Sequence, residues 1–245
     1  DIPIPSGDLW MDPQGIGTNM IMMFRSVYNQ STGMNETPRE YPNSVTGWLD
    51  GSSVYGSSQQ TADWLRSGIG GRLKVTPDPN GDLLPLADEN DESAPSMSFV
   101  GFSASERYIA GDSRANEHVG LTAIHILFVR EHNRIAGLLE AQHPEWTDED
   151  IYQAARKYVT ALMQQITYQE YLPSMNIHAD YGEYDPSIDP SVSNAFATLA
   201  FRMGHSQIGP LTLRLEENRT SIPQGSIAME DGFWDPHSLV TDGGI

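Results

Sequence analysis

The sequence predicts a mainly α-helical fold, a helical core with long ordered loops and little β-structure. Three observations carry this expectation. Apolar residues recur at helical spacing in three blocks of the second half. Residues 1–45 are rich in Gly, Pro, Asn and Ser with little periodicity, and loop returns between 70 and 96. At 245 residues, with 38% hydrophobic and 19% charged, the chain has the length and composition of a folded domain or a large part of one.

Residues 1–45 read as an irregular, ordered segment lying along a surface. A short helix follows, with Ser57 or Ser58 as N-cap, Ala62, Trp64 and Leu65 as its apolar side, and Gly68 as its stop. Residues 70–96 return to loop, with Asp78-Pro79-Asn80-Gly81 as a turn and Asp88-Glu89-Asn90-Asp91-Glu92 as an exposed acidic stretch. The first long helix is expected over about 120–142, where Leu121, Ile124, Leu127, Phe128, Ile135, Leu138 and Leu139 keep helical spacing. The second is expected over about 148–171, with Thr147 as N-cap and Pro173 as stop. The third, about 191–203, carries Val192, Ala195, Phe196, Leu199 and Met203 and ends at Gly204. Residues 211–215 alternate and suggest a short strand; no internal repeat is visible.

Charge and composition exclude several functions. With 33 acidic against 14 basic residues the net charge is −19, which repels nucleic acid and anionic membranes and favours cations. The carboxylates form either a solvated acidic surface or, in part, a set of oxygen donors for calcium. The absence of cysteine removes disulfides, thiolate zinc sites, iron–sulfur clusters and a cysteine nucleophile. No apolar run reaches the roughly 18 residues needed to span a bilayer. The start, Asp1-Ile2-Pro3-Ile4-Pro5, has neither an initiator Met nor a signal peptide, so a processed or incomplete chain is expected.

Three clusters could carry chemistry. None of the seven histidines forms a His-Glu-x-x-His pair, and His118, His125 and His132, seven residues apart, share a helix side only approximately. His205 follows a run of small and apolar residues, and Gly204 beside it leaves room for a flat, bulky partner such as haem; the alternative is a histidine capping a helix end. In Gly111-Asp112-Ser113-Arg114-Ala115-Asn116-Glu117-His118, Arg114 and Glu117 form either an ordinary surface ion pair or a fixed cation and a carboxylate beside a cofactor. In Thr46-Gly47-Trp48-Leu49-Asp50-Gly51-Ser52, Thr46, Asp50 and Ser52, with the carbonyl of Trp48, offer a calcium-type donor set; the alternative is a common turn.

The wording and order of these clusters, with Gly120-Leu121-Thr122-Ala123-Ile124-His125, Arg130-Glu131-His132-Asn133-Arg134, Gln164-Gln165-Ile166-Thr167-Tyr168-Gln169-Glu170-Tyr171-Leu172-Pro173 and Ala200-Phe201-Arg202-Met203-Gly204-His205, resemble the animal-type haem peroxidases, the peroxidase–cyclooxygenase superfamily, which has bacterial members. The resemblance covers nearly the whole chain. It implies a secreted enzyme that binds haem b and Ca2+, reduces hydrogen peroxide, and oxidises halide, thiocyanate or a small organic donor. It implies His205 as the axial ligand of haem iron, Arg114 as the catalytic distal arginine, and Glu117 as the carboxylate that can form an ester with the haem. Thr46, Trp48, Asp50 and Ser52 would ligate calcium. A Gln-x-x-x-His-Asp segment is expected upstream, and further domain sequence downstream of Asp242-Gly243-Gly244-Ile245, so residues 1–245 are expected to be a partial peroxidase domain whose distal segment lies elsewhere in the same protein or on a separate chain. His118 stands where a mammalian relative has a haem-linked Met, so no sulfonium link is expected. Two alternatives remain: a non-catalytic calcium-binding extracellular scaffold or adhesion module, and a fatty-acid dioxygenase, which would need a Tyr between 196 and 204 where there is none.

Overall fold

The computed structural model describes residues 1–24, 26–34, 36–88, 90–98, 106–178, 180 and 182–241, so Glu89 of the acidic stretch and residues 242–245 lie outside it. The chain divides into a unit of residues 1–43 and a larger unit of 44–245. In the first, β1 (Ile2–Pro3) pairs antiparallel with β2 (Met20–Ile21). Asp12 organises the turns between them: its buried carboxylate accepts N–H groups of Ile16 (2.9 Å) and Gly17 (2.7 Å). The described part of the segment is thus held by the Asp12 side chain and one short strand pair.

In the larger unit, α1 (Ser52–Tyr55) is followed by α2 (Gln59–Leu65), whose N-cap Ser58 accepts the N–H of Thr61 as expected. Two long helices dominate, α3 (Val119–Gln142) and α4 (Asp148–Ile166), both close to their expected bounds. Thr147 forms a capping box with Asp150 at the start of α4, satisfying two otherwise orphaned donors. Ile126 and Val129 of α3 meet Tyr152 and Val159 of α4 in a core that also takes Val54, Tyr55, Leu84, Tyr108 and Ile109. Burial of this apolar surface, at roughly 25 cal/mol per Å², is what holds the helices together.

Three elements differ from expectation. α4 does not stop cleanly at Pro173. It passes into a π-helical turn (Thr167–Tyr171) and then α5 (Leu172–Ser174), where Pro sits in the first turn and needs no N–H partner. The third long helix is broken: α6 (Asn194–Thr198), capped by Ser193, gives way at Leu199 (φ −120°) to a 3-10 segment (Ala200–Gln207) that runs through Gly204. No side chain of either piece is buried, and a short helix without tertiary cover is marginal. The expected strand shrinks to β3 (Leu211–Thr212), paired with β4 (Ile227–Ala228). It ends where Arg214 turns inward, fully buried, to donate to the carbonyls of Gly225 (2.6 Å) and Gln224 (3.2 Å). A 3-10 turn (Glu230–Gly232) and α7 (Ser238–Thr241) complete the described chain. No helix among the described residues is long and apolar enough to cross a membrane.

Candidate functional site

The segment leading into α3 is fixed from both ends before it presents Arg114. Asn116 accepts the N–H of Tyr108 (3.0 Å) and donates to its carbonyl (2.7 Å), while Thr122 Oγ1 donates to the carbonyl of Ala115 (2.7 Å). On the other side the segment runs against α1. Asp112 N–H donates to the carbonyl of Ser53 (3.1 Å), and a Cβ on Gly111 would lie 2.4 Å from both the Ser52 carbonyl oxygen and the Gly56 nitrogen. Only glycine permits that approach.

Arg114 has a different partner from the one expected. Its Nε and Nη2 donate to the two oxygens of Asp112 (2.9 and 2.7 Å), and its backbone N–H donates to the same carboxylate (2.9 Å). The side-chain hydrogen bonds from Arg114 hold the Asp112 carboxyl below its usual range. Glu117 is linked to Arg114 through the backbone, its N–H donating to the Arg114 carbonyl (2.8 Å), and its own carbonyl accepts the N–H of Trp234 (3.1 Å). The guanidinium, 59% exposed, lies at a cleft of about 710 Å³ whose wall carries Ser57, Ser58, Thr61, Asp112 and Ser113. The arrangement is an arginine held in one direction by its ion pair with Asp112, beside neutral hydroxyls, with Nη1 outside that pair and able to meet an anion or a bond that becomes anionic as it breaks.

The 46–52 loop brings three of its four expected donors together. Thr46 Oγ1 lies 3.0 Å from Asp50 Oδ2 and 3.3 Å from the Trp48 carbonyl oxygen. Ser52 joins through its backbone N–H, which donates to Asp50 Oδ1 (3.0 Å). Helix α4 anchors the loop from outside, Thr160 and Gln164 donating to the carbonyls of Asp50 (3.1 Å) and Leu49 (2.7 Å). Among the described residues no group of three or more His, Asp or Glu is placed to hold a metal. A cation in this loop would therefore rest on one carboxylate and neutral oxygens, a donor set that hard cations accept.

His205 lies on the exposed 3-10 segment. No hydrogen bond or ion pair joins it to Arg114 or Glu117 among the described residues. Its surroundings are open and apolar. A Cβ added to Gly204 would meet nothing within 4 Å, and Phe201 (65%) and Met203 (50%) face solvent beside it. The segment is tied to the π-helical turn: Tyr171 Oη donates to Gln207 Oε1 (2.9 Å), and Gln207 Nε2 contacts Met175 Sδ (2.8 Å). Of the other histidines, His118 caps α3, its Nδ1 accepting the N–H of Gly120 (3.0 Å). His125 is buried on Leu121, and that burial lowers its pKa.

Two features were missed from sequence. Asp112, two residues before Arg114, was legible only as part of a motif, although an acid so close to an arginine is a usable signal. Tyr55 and His132, 77 positions apart, meet in the core, which no local pattern announces.

Known proteins resemble the chain along most of its length. The family model described as animal haem peroxidase matches residues 1–245. Peroxinectin A of Dictyostelium discoideum is 35% identical over 248 residues, covering 97% of this chain and 46% of its own length. The peroxidasin homolog of Mus musculus is 39% identical over 227 residues, covering 85% of this chain and 15% of its own. The solved structure of peroxidase A from Dictyostelium discoideum superposes with a TM-score of 0.84 at 34% identity, over 99% of this chain and 48% of that one. The chain thus spans less than half the length of these relatives.

Proposed function

The chain belongs to the animal haem peroxidase family, and from that membership we propose that residues 1–245 are part of a secreted, calcium-binding peroxidase domain. It reduces hydrogen peroxide and oxidises halide, thiocyanate or a small organic donor. The observation that carries the reading is Arg114, held by both oxygens of Asp112 at the lip of a hydroxyl-lined cleft.

His205 would hold the haem iron through a neutral imidazole nitrogen, with Gly204 leaving space for the ring and Phe201 and Met203 offering apolar contact. Glu117, half-buried one turn after Arg114, would supply the carboxylate for an ester to the haem. When bound, the haem supplies the redox-active iron through which peroxide receives two electrons. Arg114 supplies the fixed positive charge. The N–H groups not taken by Asp112 would orient the peroxide oxygen that departs and stabilise the negative charge growing on it. Asp112 is committed to Arg114 and is no base for the peroxide proton; that base is assigned to a part of the longer protein outside residues 1–245. Thr46, Asp50 and Ser52, with the Trp48 carbonyl, would hold calcium and stiffen the loop that runs into α1.

The test is to express the longest form of the protein with haem and record its absorption before and after hydrogen peroxide. A ferric Soret band that changes with peroxide, and is lost in His205→Ala, is the expected result. Failure of the longest form to take up haem overturns the reading and leaves a calcium-bound scaffold.

A further inference from the structure

Beneath α1 lies a buried polar pair that the peroxide reaction does not use. Tyr55 and His132 are both fully buried, and Tyr55 Oη lies 2.8 Å from His132 Nδ1. The imidazole Nε2 lies 2.8 Å from the carbonyl oxygen of Gly71. A carbonyl only accepts, so Nε2 carries the hydrogen and Nδ1 must accept from the phenol. The carbonyl cannot drift. Gly71 N–H donates to Asp148 Oδ1 (2.7 Å), and any Cβ at Gly71 would strike the backbone nitrogen of Tyr152 at 2.5 Å. The phenol therefore faces one defined proton acceptor with water excluded.

The surroundings suit transfer of an electron with a proton. Burial lowers the pKa of His132 to about 4, so Nδ1 is free at neutral pH, and burial raises that of Tyr55, so its proton is in place. The Tyr152 ring stands edge-on to Tyr55 at 6.1 Å and tilted to His132 at 5.5 Å, which extends the aromatic cluster. Arg66 lies over Tyr152 and Arg156 over Tyr55. These cations oppose an imidazolium, so only a strong oxidant can drive the step and the proton returns readily. The α1 backbone that carries Tyr55 is in direct contact with the segment that carries Arg114.

We propose that Tyr55 is a redox-active phenol that gives one electron to a strong oxidant while its proton passes to Nδ1 of His132. The Oη–H bond breaks and an Nδ1–H bond forms. One electron leaves the ring for the oxidant, and a neutral phenoxyl remains hydrogen-bonded to an imidazolium. An electron from a small donor reverses both transfers. A phenol that loses an electron becomes a far stronger acid than imidazolium, so even a weakly basic His132 takes the proton. The natural oxidant comes from the peroxide reaction, and to that extent the inference rests on the peroxidase reading.

The experiment uses an independent oxidant, a photogenerated ruthenium(III) polypyridine complex, on the longest form of the protein prepared without haem. Radicals are trapped by freezing and read by electron paramagnetic and electron–nuclear double resonance. The native chain should give a hydrogen-bonded phenoxyl whose spectrum changes when histidine is labelled with nitrogen-15. Tyr55→Phe should lose that species, and Tyr158→Phe, altered at a half-exposed ring, should keep it. An unchanged spectrum in Tyr55→Phe, or a native radical with no coupling to histidine nitrogen, overturns the proposal. The labelling arm decides even if Tyr55→Phe fails to fold. Failure of haem uptake would overturn the peroxidase reading without touching this result.

Discussion

Gly111→Ala isolates the contact on which the position of Arg114 depends. Gly111 has no positive φ that would penalise alanine by itself, so the substitution acts through space alone. The added Cβ would stand 2.4 Å from the Ser52 carbonyl oxygen and the Gly56 nitrogen and 2.7 Å from the Val54 carbonyl carbon, all backbone atoms. Those distances are about 1 Å short of ordinary contact, so the two segments must separate. Overpacking of this kind costs roughly 1–3 kcal/mol. Loss of the Asp112 N–H to Ser53 carbonyl bond (3.1 Å) adds about 1 kcal/mol. At roughly 2–4 °C per kcal/mol for a chain of this size, the melting temperature should fall by about 4–16 °C. Differential scanning calorimetry of Gly111→Ala beside Gly204→Ala, where a Cβ meets open space, measures it. The reasoning is refuted if Gly111→Ala melts within about 1 °C of the native chain, or if Gly204→Ala falls as far.

Stability should fall as pH drops from about 6.5 to about 4. His132, with a folded pKa of about 4, stays neutral there while the unfolded chain takes up the proton, so up to about 3 kcal/mol is lost. Urea unfolding at pH 7, 5.5 and 4.5 reads the loss, and an unchanged free energy across that range would show that His132 is not held neutral. Asp50→Asn should weaken calcium binding by at least about tenfold, since it removes the one carboxylate of the loop while the neutral oxygens stay. Calorimetric titration of the native chain and the variant checks this, and equal affinities would place any calcium elsewhere.

The long helices were legible because their signals are local and redundant. α4 carries a buried stripe at helical spacing, and Thr147 announces its start in a four-residue box. In α3 the spacing located the helix but not its buried side, for Leu121, Ile124, Leu127 and Leu138 are exposed and the core is met by Val119, Ile126, Val129 and Ile135. Residues 191–203 carry a comparable apolar count, yet only Asn194–Thr198 is α-helical. Among the described residues Phe196, Leu199, Phe201 and Met203 stay exposed, and periodicity cannot report whether a partner exists. The strand at 211–215 failed for another reason. Alternation assumes that every second side chain faces solvent, and Arg214 instead turns inward to satisfy two carbonyls 10 and 11 residues on. α1, four residues long, is too short for any periodic signal.

The same distinction separates the candidate site into what a motif can say and what only packing can. A motif names Arg114 but pairs it with Glu117, because three-residue spacing suits a helical turn; the lead-in to α3 is instead pinned at Asn116, which leaves Asp112 as the carboxylate facing the guanidinium. The 46–52 loop reads as a donor set on its own, yet its bearing on Arg114 runs through Ser53 and the bare Cα of Gly111, 58 positions further on. That one backbone contact joins three features. The oxygen-donor loop enters α1, α1 carries Tyr55 onto His132, and the far side of α1 sets the segment of Arg114. A ligand that stiffens the loop should therefore protect amides at 108–116 from hydrogen exchange as well as those at 46–55. Protection confined to the loop would mean that the contact at Gly111 transmits nothing.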